Sequence, residues 1–250
     1  MTSSLVGSEM CIRDRSDTEI IEVTLTSLEY NNKVENMETP ISEIRREYSK
    51  GKLTQCTIHD NPFEQFVEWL DDAIIHKEDE PTAMIVATVS AEGHPSTRTV
   101  LLKGVENNQF IFFTNYESRK GKQLAGNPYI SLSFVWHKLE RQVHIEGKAE
   151  KCPDKVSDTY FATRPYKSKI GARISPQSRV ISSRMEIMRA FVKEVFKLAG
   201  RDIKRPDNWG GFAVTPTRFE FWQGRESRLH DRIQYILQKD GNWIQERLAP

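Results

Sequence analysis

The sequence predicts a mainly β protein with flanking helices, its strands closed into one antiparallel barrel. Two observations carry this. Short runs rich in β-branched and aromatic residues follow one another from residue 83 to residue 149, and a second set returns after Pro206. Tight turns join the runs, whereas parallel neighbours need crossovers of a dozen or more residues. A helical pattern precedes the strands and two more separate the two sets, which places helices around the barrel.

Each element has its own signal. Residues 1–39 are polar, mixed and weakly periodic, and read as a disordered or artefactual extension; the folded domain is expected over 40–250. Residues 41–48 have helical spacing, with Gly51 placed to end the helix. A second helix is predicted over 61–75. Asn61 can cap it, Pro62 suits its first turn, and Phe63, Phe66, Val67, Leu70 and Ile74 form an apolar face. Strands follow at 83–89, 97–103 and 109–114, with turns at Glu92-Gly93 and 105–108. A short helix from Ser118 to Leu124 is stopped by Gly126 and Pro128, and strands at 129–136 and 141–149 complete the first set.

Helices return at 153–162 and 183–198. In the second, Ile187, Met188, Phe191, Val195, Phe196 and Leu198 are expected to pack on the barrel. Residues 164–182 combine Pro, Gly, Ser and basic side chains, and read as a loop or short helix at a ligand site or as a solvated connector. The last strands are predicted at 211–215, 218–223, 228–238 and 243–248.

The chain's 36 basic and 35 acidic side chains leave a formal net charge of +1, which argues against a general nucleic-acid or membrane-surface binder. No apolar run is long enough to span a bilayer, and no secretion signal opens the chain. Cys11, Cys56 and Cys152 are odd in number and far apart, which suggests neither a disulfide framework nor a metal site and points to a reducing, cytoplasmic setting.

Cations recur beside the strands: Arg98 and Lys103, then Arg119 and Lys120, then Arg164, Lys167 and Lys169. The densest run is Arg225-Glu226-Ser227-Arg228-Leu229-His230-Asp231-Arg232. Scattered cations next to apolar strands suit phosphate groups on small ligands, although a solvated surface explains any single segment equally well. No G-x-G-x-x-G follows a strand, and P-loop, G-x-S-x-G and H-E-x-x-H signatures are missing, so no metal is assigned. Anion-ready loops without an evident base or nucleophile fit chemistry carried by a bound cofactor.

From about Ile41 to Pro250 the chain resembles the pyridoxamine 5'-phosphate oxidase family. The resemblance rests on Arg45-Arg46-Glu47-Tyr48, Pro81-Thr82-Ala83-Met84, Arg98-Thr99-Val100-Leu101-Leu102-Lys103 and Thr114-Asn115-Tyr116-Glu117-Ser118-Arg119-Lys120. It continues through 136–143, Ile170-Gly171-Ala172, Trp209-Gly210-Gly211-Phe212, Phe221-Trp222-Gln223-Gly224, 228–232 and the terminus 246–250. Each fragment is modestly specific; their order over most of the chain is not.

The resemblance implies an FMN-binding split β-barrel of Greek-key type. It also implies a homodimer holding FMN between subunits, with pyridoxamine or pyridoxine 5'-phosphate oxidised at C4' to pyridoxal 5'-phosphate. Dioxygen is the acceptor, hydrogen peroxide the product, and the amine also releases ammonia. FMN contacts are implied for Arg98, Thr99, Val100, Leu101, Leu102, Lys103, Phe113, Thr114, Arg119, Lys120, Gln142, Gln177, Ser178, Trp222 and Arg232. On residue type alone, Val100, Leu101 and Leu102 equally suit core positions that meet a ligand only through backbone. Lys103, Tyr160, Arg164 and Ser168 are implied for the substrate phosphate, and Arg228 and His230 for catalysis beside the substrate ring. Arg45 and Tyr48 would close over the site on an N-terminal helix.

The sequence departs from the familiar pattern at Phe113, often Tyr, and at Tyr166 and Ser227, more basic elsewhere. Two other readings compete: a non-enzymatic pyridoxal-phosphate carrier, and another flavin- or haem-binding split barrel. A nucleic-acid-binding barrel is weaker, because cations and aromatics do not interleave along a strand face.

Overall fold

Along the central strands, buried and exposed side chains alternate, and that period of two gathers them into one antiparallel sheet with a single apolar side. The computed structural model describes residues 41–198 and 200–250, with the backbone of 10–11 and 22–23. The rest of the predicted 1–39 extension lies outside the described residues. The chain divides into two units, Met1–Glu47 and Tyr48–Pro250. In the first, Met10–Cys11 pairs antiparallel with Glu22–Val23, and Ile41–Glu43 forms one 3-10 turn.

The second unit holds nine strands: β1 (Ala83–Val89), β2 (Pro95–Leu101), β3 (Gly104–Glu106), β4 (Gln109–Asn115), β5 (Tyr129–Trp136), β6 (Arg141–Lys151), β7 (Trp209–Gln223), β8 (Asp231–Leu237) and β9 (Trp243–Leu248). Their order is β9-β8-β7-β6-β5-β1-β2, with β4 between β3 and β7. The long β7 organises the barrel. Its first half pairs with β4, from Trp209 opposite Asn115 to Val214 opposite Phe110, and its second half pairs with β8. β6 follows its other edge throughout. The Lys103 N–H donates to Ile111 O at 2.8 Å, which ties the end of β2 back to β4.

Two strands expected at 211–215 and 218–223 are therefore one. Pro216 between them lies at a register shift opposite Gly147, where a bulge tolerates its missing N–H and the strand continues. The expected 105–108 turn is mostly the strand β3, with its reversal at Asn107 and Asn108, both at positive φ. The strand expected from 228 begins at Asp231, after a 3-10 turn at Glu226–Arg228.

Helix α1 (Pro62–Ile75) forms as expected, with Asn61 Oδ1 accepting the Phe63 N–H at 2.9 Å. Its buried face is Phe63, Phe66, Trp69 and Ala73, with Leu70 partly buried; Val67 and Ile74 point outward. Helical spacing permits either face, and the larger Trp69, edge-on to Phe221 at 5.2 Å, takes the core. The helix expected over 41–48 is reduced to the one turn at Ile41–Glu43, so the expected helical lid is not a helix. Ile41 and Ile44 are exposed and give it no apolar face. Within the second unit the backbone N–H groups of Ser49 and Lys50 instead donate to the Glu140 carboxylate at 2.8 and 3.0 Å.

The remaining helices are α2 (Arg119–Gly126), α3 (Asp154–Thr163), α4 (Tyr166–Ile174) and α5 (Arg184–Leu198). The segment 164–182 thus contains a helix. Only part of the α5 face expected on the barrel is used, and it packs outside the main core. Phe191, Val195 and Leu198 meet a second cluster built on Phe161, Ile170, Ile203 and Trp209, while Met188 and Phe196 are exposed. Among the described residues no helix is long and apolar enough to cross a membrane.

Candidate active site

Three of the cations singled out in the sequence converge where β2, β4 and α2 meet. Ser118 caps α2 by accepting the Gly121 N–H, and this sets Lys120 against the end of β4. The Lys120 ammonium donates to Thr114 Oγ1 at 2.9 Å and Gln177 Oε1 at 3.4 Å. Burial, then the neighbouring Arg98, pushes its pKa down to about 8. Arg98 is itself lowered by burial and by Arg119. The Arg98 guanidinium donates to Thr88 Oγ1 at 2.6 Å and Ser96 Oγ at 2.8 Å, and both hydroxyls donate onward to Gln123 Oε1. Among the described residues no carboxylate pairs with Arg98, Arg119 or Lys120. Arg98 and Lys120, each lowered by burial and by a neighbouring cation, fit a bound phosphate dianion, which would supply the missing negative charge.

Other residues of that group divide as their strands dictate. Val100 and Leu102 turn into the main core, as their apolar character allowed, while Thr99, Leu101 and Lys103 are exposed. Gln177 and Ser178 follow α4, Ser178 at φ 69°. The ring of Phe113 faces α3, on the side of β4 opposite to Thr114, so any contact with a ligand beside Thr114 is through its backbone.

A second group lies across β6, β7 and β8, where Gln142 is opposite Trp222 and Trp222 opposite Arg232. The Trp222 ring lies 4.7 Å from that of His230, and Tyr48 meets both at 5.6 Å. The Arg225 N–H donates to His230 Nδ1 at 3.1 Å, which leaves the proton on Nε2, free to donate to a ligand. Arg232 is aimed by the buried Glu220 carboxylate, which accepts from its Nε and Nη2 at 2.8 and 2.7 Å and from Arg218. His144 accepts from Ser133 at Nδ1 and donates from Nε2 to Gln142 Oε1 at 3.3 Å; burial lowers its pKa and favours this neutral form. Arg228 is exposed at φ 61° beside Ser227 at φ 55°, two consecutive left-handed residues that hold the turn in a strained shape.

Tyr160 and Arg164 lie one turn apart at the end of α3. Burial raises the Tyr160 pKa, the positive Arg164 offsets part of that rise, and one Arg164 nitrogen, Nη1, is buried with no hydrogen-bond partner. Arg164 and Ser168 line a cavity of about 380 Å³ with Asn115, Ser175, Gln177 and Trp209. Lys103 and Tyr160 line a neighbouring cavity with Phe113 and Thr159. Arg45 belongs to the first unit, so its role rests on the resemblance.

Sequence reasoning missed Gln123, Thr88 and Ser96 behind Arg98, Glu220 behind Arg232, and His144 behind Gln142. Only Gln123 left a signal, lying three residues after Lys120 on one helix face. Among the described residues no hydrogen bond, ion pair or ring contact joins the Lys120 and Arg164 group to the Trp222 and His230 group. Within one chain the two groups stand apart.

Known proteins are similar to this chain in sequence and in fold. A family profile described as "Pyridoxamine 5'-phosphate oxidase" matches residues 70–198, and one described as "Pyridoxine 5'-phosphate oxidase C-terminal dimerisation region" matches 209–250. A pyridoxine/pyridoxamine 5'-phosphate oxidase of Bacteroides thetaiotaomicron is 62% identical over 210 residues, 84% of this chain and 99% of that protein. The protein of that name in Porphyromonas gingivalis is 57% identical over 214 residues, 86% of this chain and all of its own. Among solved structures, PhzG from Burkholderia lata, in complex with tetrahydrophenazine-1-carboxylic acid, superposes with a TM-score of 0.75 at 24% identity. It covers 80% of this chain and 98% of its own. A pyridoxamine 5'-phosphate oxidase-related, FMN binding protein from Nostoc punctiforme gives 0.63 at 16%, over 77% of this chain and all of its own. These two share the split-barrel fold. With both profiles matched in order and this identity across nearly the whole length of its relatives, the chain belongs to the pyridoxine/pyridoxamine 5'-phosphate oxidase family.

Proposed function

We propose that this protein oxidises pyridoxamine 5'-phosphate and pyridoxine 5'-phosphate to pyridoxal 5'-phosphate with FMN as cofactor. The observation that carries the reading is the convergence of Arg98, Arg119 and Lys120 without a carboxylate, a ready seat for the flavin phosphate. When bound, FMN accepts a hydride equivalent from substrate C4' and passes the electrons to dioxygen, giving hydrogen peroxide.

The chain's own residues bind, orient and cover. Arg98, Arg119, Lys120 and Thr114 hold the cofactor phosphate; Gln142, Trp222 and Arg232 hold the rest of the cofactor. Arg164, through its unpartnered Nη1, takes the substrate phosphate with Tyr160, Ser168 and Lys103. His230 donates from Nε2 to the polar edge of the substrate ring, and Arg228 lies over its face. Holding both rings in register replaces a random encounter with a prealigned one. Because no hydrogen bond, ion pair or ring contact joins the two groups among the described residues, we place them together across a homodimer, one group from each copy, in keeping with the dimerisation region matched at 209–250. The free thiols of Cys56 and Cys152 suit a reducing cytoplasm.

The test is anaerobic. The purified dimer should be yellow and should bleach when pyridoxine 5'-phosphate is added, then recover its colour in air with peroxide release. Arg228→Ala should keep the flavin and lose most of the bleaching. A protein that binds the B6 phosphates tightly but holds no flavin is a carrier, and that result would overturn the proposal.

A further inference from the structure

The Trp209-Gly210-Gly211-Phe212 run is prominent in the sequence, yet none of the roles above uses it. In the structure it opens β7 directly beneath α3. Gly210 and Gly211 make the approach possible: a Cβ on Gly210 would lie 2.1 Å from the Tyr116 hydroxyl, and one on Gly211 2.8 Å from Cys152 Sγ. The Gly211 N–H donates to Ser157 Oγ of α3 at 3.0 Å. Arg205 completes the joint, donating to the Trp209 carbonyl at 2.8 Å while pairing with Asp154 and Asp158 of α3 at 2.7 and 2.6 Å.

The indole fixed by this joint is 6% exposed and touches both phosphate-site residues of α3. The Arg164 guanidinium carbon lies 4.5 Å from the Trp209 ring centroid. Phe113 stacks on Tyr160 at 3.9 Å and 13°, and Trp209 lies nearly parallel to both, 5.6 Å from Phe113 and 6.2 Å from Tyr160. Phe161 closes the far side edge-on at 5.1 Å. The aromatic face therefore holds a half-buried guanidinium whose buried Nη1 has no partner, close enough to Tyr160 for its charge to act on that hydroxyl.

We propose that Trp209 is a positioning residue for the substrate phosphate: its ring holds Arg164 and, through Phe113, Tyr160 in the geometry that receives the anion before substrate arrives. The inference deepens the oxidase reading and rests on its assignment of Arg164. Trp209 also lines the Arg164 cavity, and the role proposed for it is to position Arg164 rather than to hold the anion itself. Its effect must show in phosphate recognition and must run through Arg164.

The experiment uses the flavin-loaded dimer and three variants, Trp209→Phe, Trp209→Met and Arg164→Lys, with the Trp209→Met/Arg164→Lys double variant. KM and kcat are measured for pyridoxine 5'-phosphate, and inhibition by inorganic phosphate is measured alongside. Trp209→Met should raise KM about tenfold and weaken phosphate inhibition in parallel, with kcat within about threefold. Trp209→Phe keeps an aromatic face and should recover most of the loss, and it stands in for the Met variant if that one fails to fold. In the Arg164→Lys background the Trp209 change should add less than about twofold. Full additivity there, or a Trp209→Met effect confined to kcat, would overturn the positioning role alone. An unchanged KM in Arg164→Lys would instead remove Arg164 from the phosphate site and take both readings down together.

Discussion

Lys120 holds its proton less firmly than an exposed lysine because it is buried beside Arg98, and that fact has a measurable sign. Its pKa falls from 10.5 to about 8 on folding. Between those values the unfolded chain binds more protons, so this group makes the flavin-free protein more stable as pH rises through the window. Below about 8 the destabilisation is fully present. Lys120→Met removes it, so the Tm of the wild-type apoprotein should gain on that of the variant between pH about 8 and 10. Bound flavin phosphate should abolish the trend by restoring the ammonium; a flat difference in the apoprotein would refute the depressed value. Glu220 gives a second test at this scale. Its buried carboxylate aims Arg232 and Arg218 together, so Glu220→Gln should weaken flavin affinity about tenfold with little change in fold, measured by flavin titration. Arg98, Lys120 and Arg232 were visible in the sequence as cations beside strands. Their supports were not, because Thr88 reaches Gln123 across 35 positions and His144 meets Ser133 only once β5 and β6 are in register.

At the scale of elements, helix signals were legible where chemistry marks an end and illegible where packing chooses a face. The cap at Asn61 and Pro62 fixed the start of α1, and Asn61→Ala should cost about 1 kcal/mol in urea unfolding. Its rotation was not marked, since Val67 and Ile74 fit the same spacing as Trp69 and Ala73. The structure separates the two: Trp69→Ala should destabilise by about 3–5 kcal/mol, while Ile74→Ala should stay within about 0.5 kcal/mol. Equal costs would mean that the face was assigned wrongly. Residues 41–48 show the opposite failure. Their spacing is helical, but Ile41 and Ile44 bury nothing, and a short segment without a packed face does not hold a helix. In β7 the two expected strands are one because Pro216 sits at a bulge, where its missing N–H interrupts no pairing.

For the whole molecule, the barrel could be read from consecutive strands, but the completeness of the site could not, because a second copy has no signature in one chain's spacing. One face of the sheet is where the proposed second copy is expected. On the side of the sheet away from the main core, a row runs through Thr99, Ile85, Ser133, His144, the buried Glu220 and Gln234, each opposite the next in neighbouring strands. Its inward neighbour Val86 is fully buried, whereas Ile85 is 42% exposed on a face that also carries Gln142, Trp222 and Arg232. A face that presents both an uncovered isoleucine and the group proposed to hold part of the cofactor is where a second protomer is expected to dock. Ile85→Lys places a charge there without touching the core. It should leave the circular dichroism of the strands intact, shift the protein to monomer in analytical ultracentrifugation, and release flavin, even though Arg98, Lys120, Trp222 and His230 are all unaltered. A variant that remains dimeric and yellow would show that the copies meet elsewhere. One that turns monomeric yet keeps its flavin would show that a single chain completes the cofactor site, and the division into two half-sites would then carry no functional meaning.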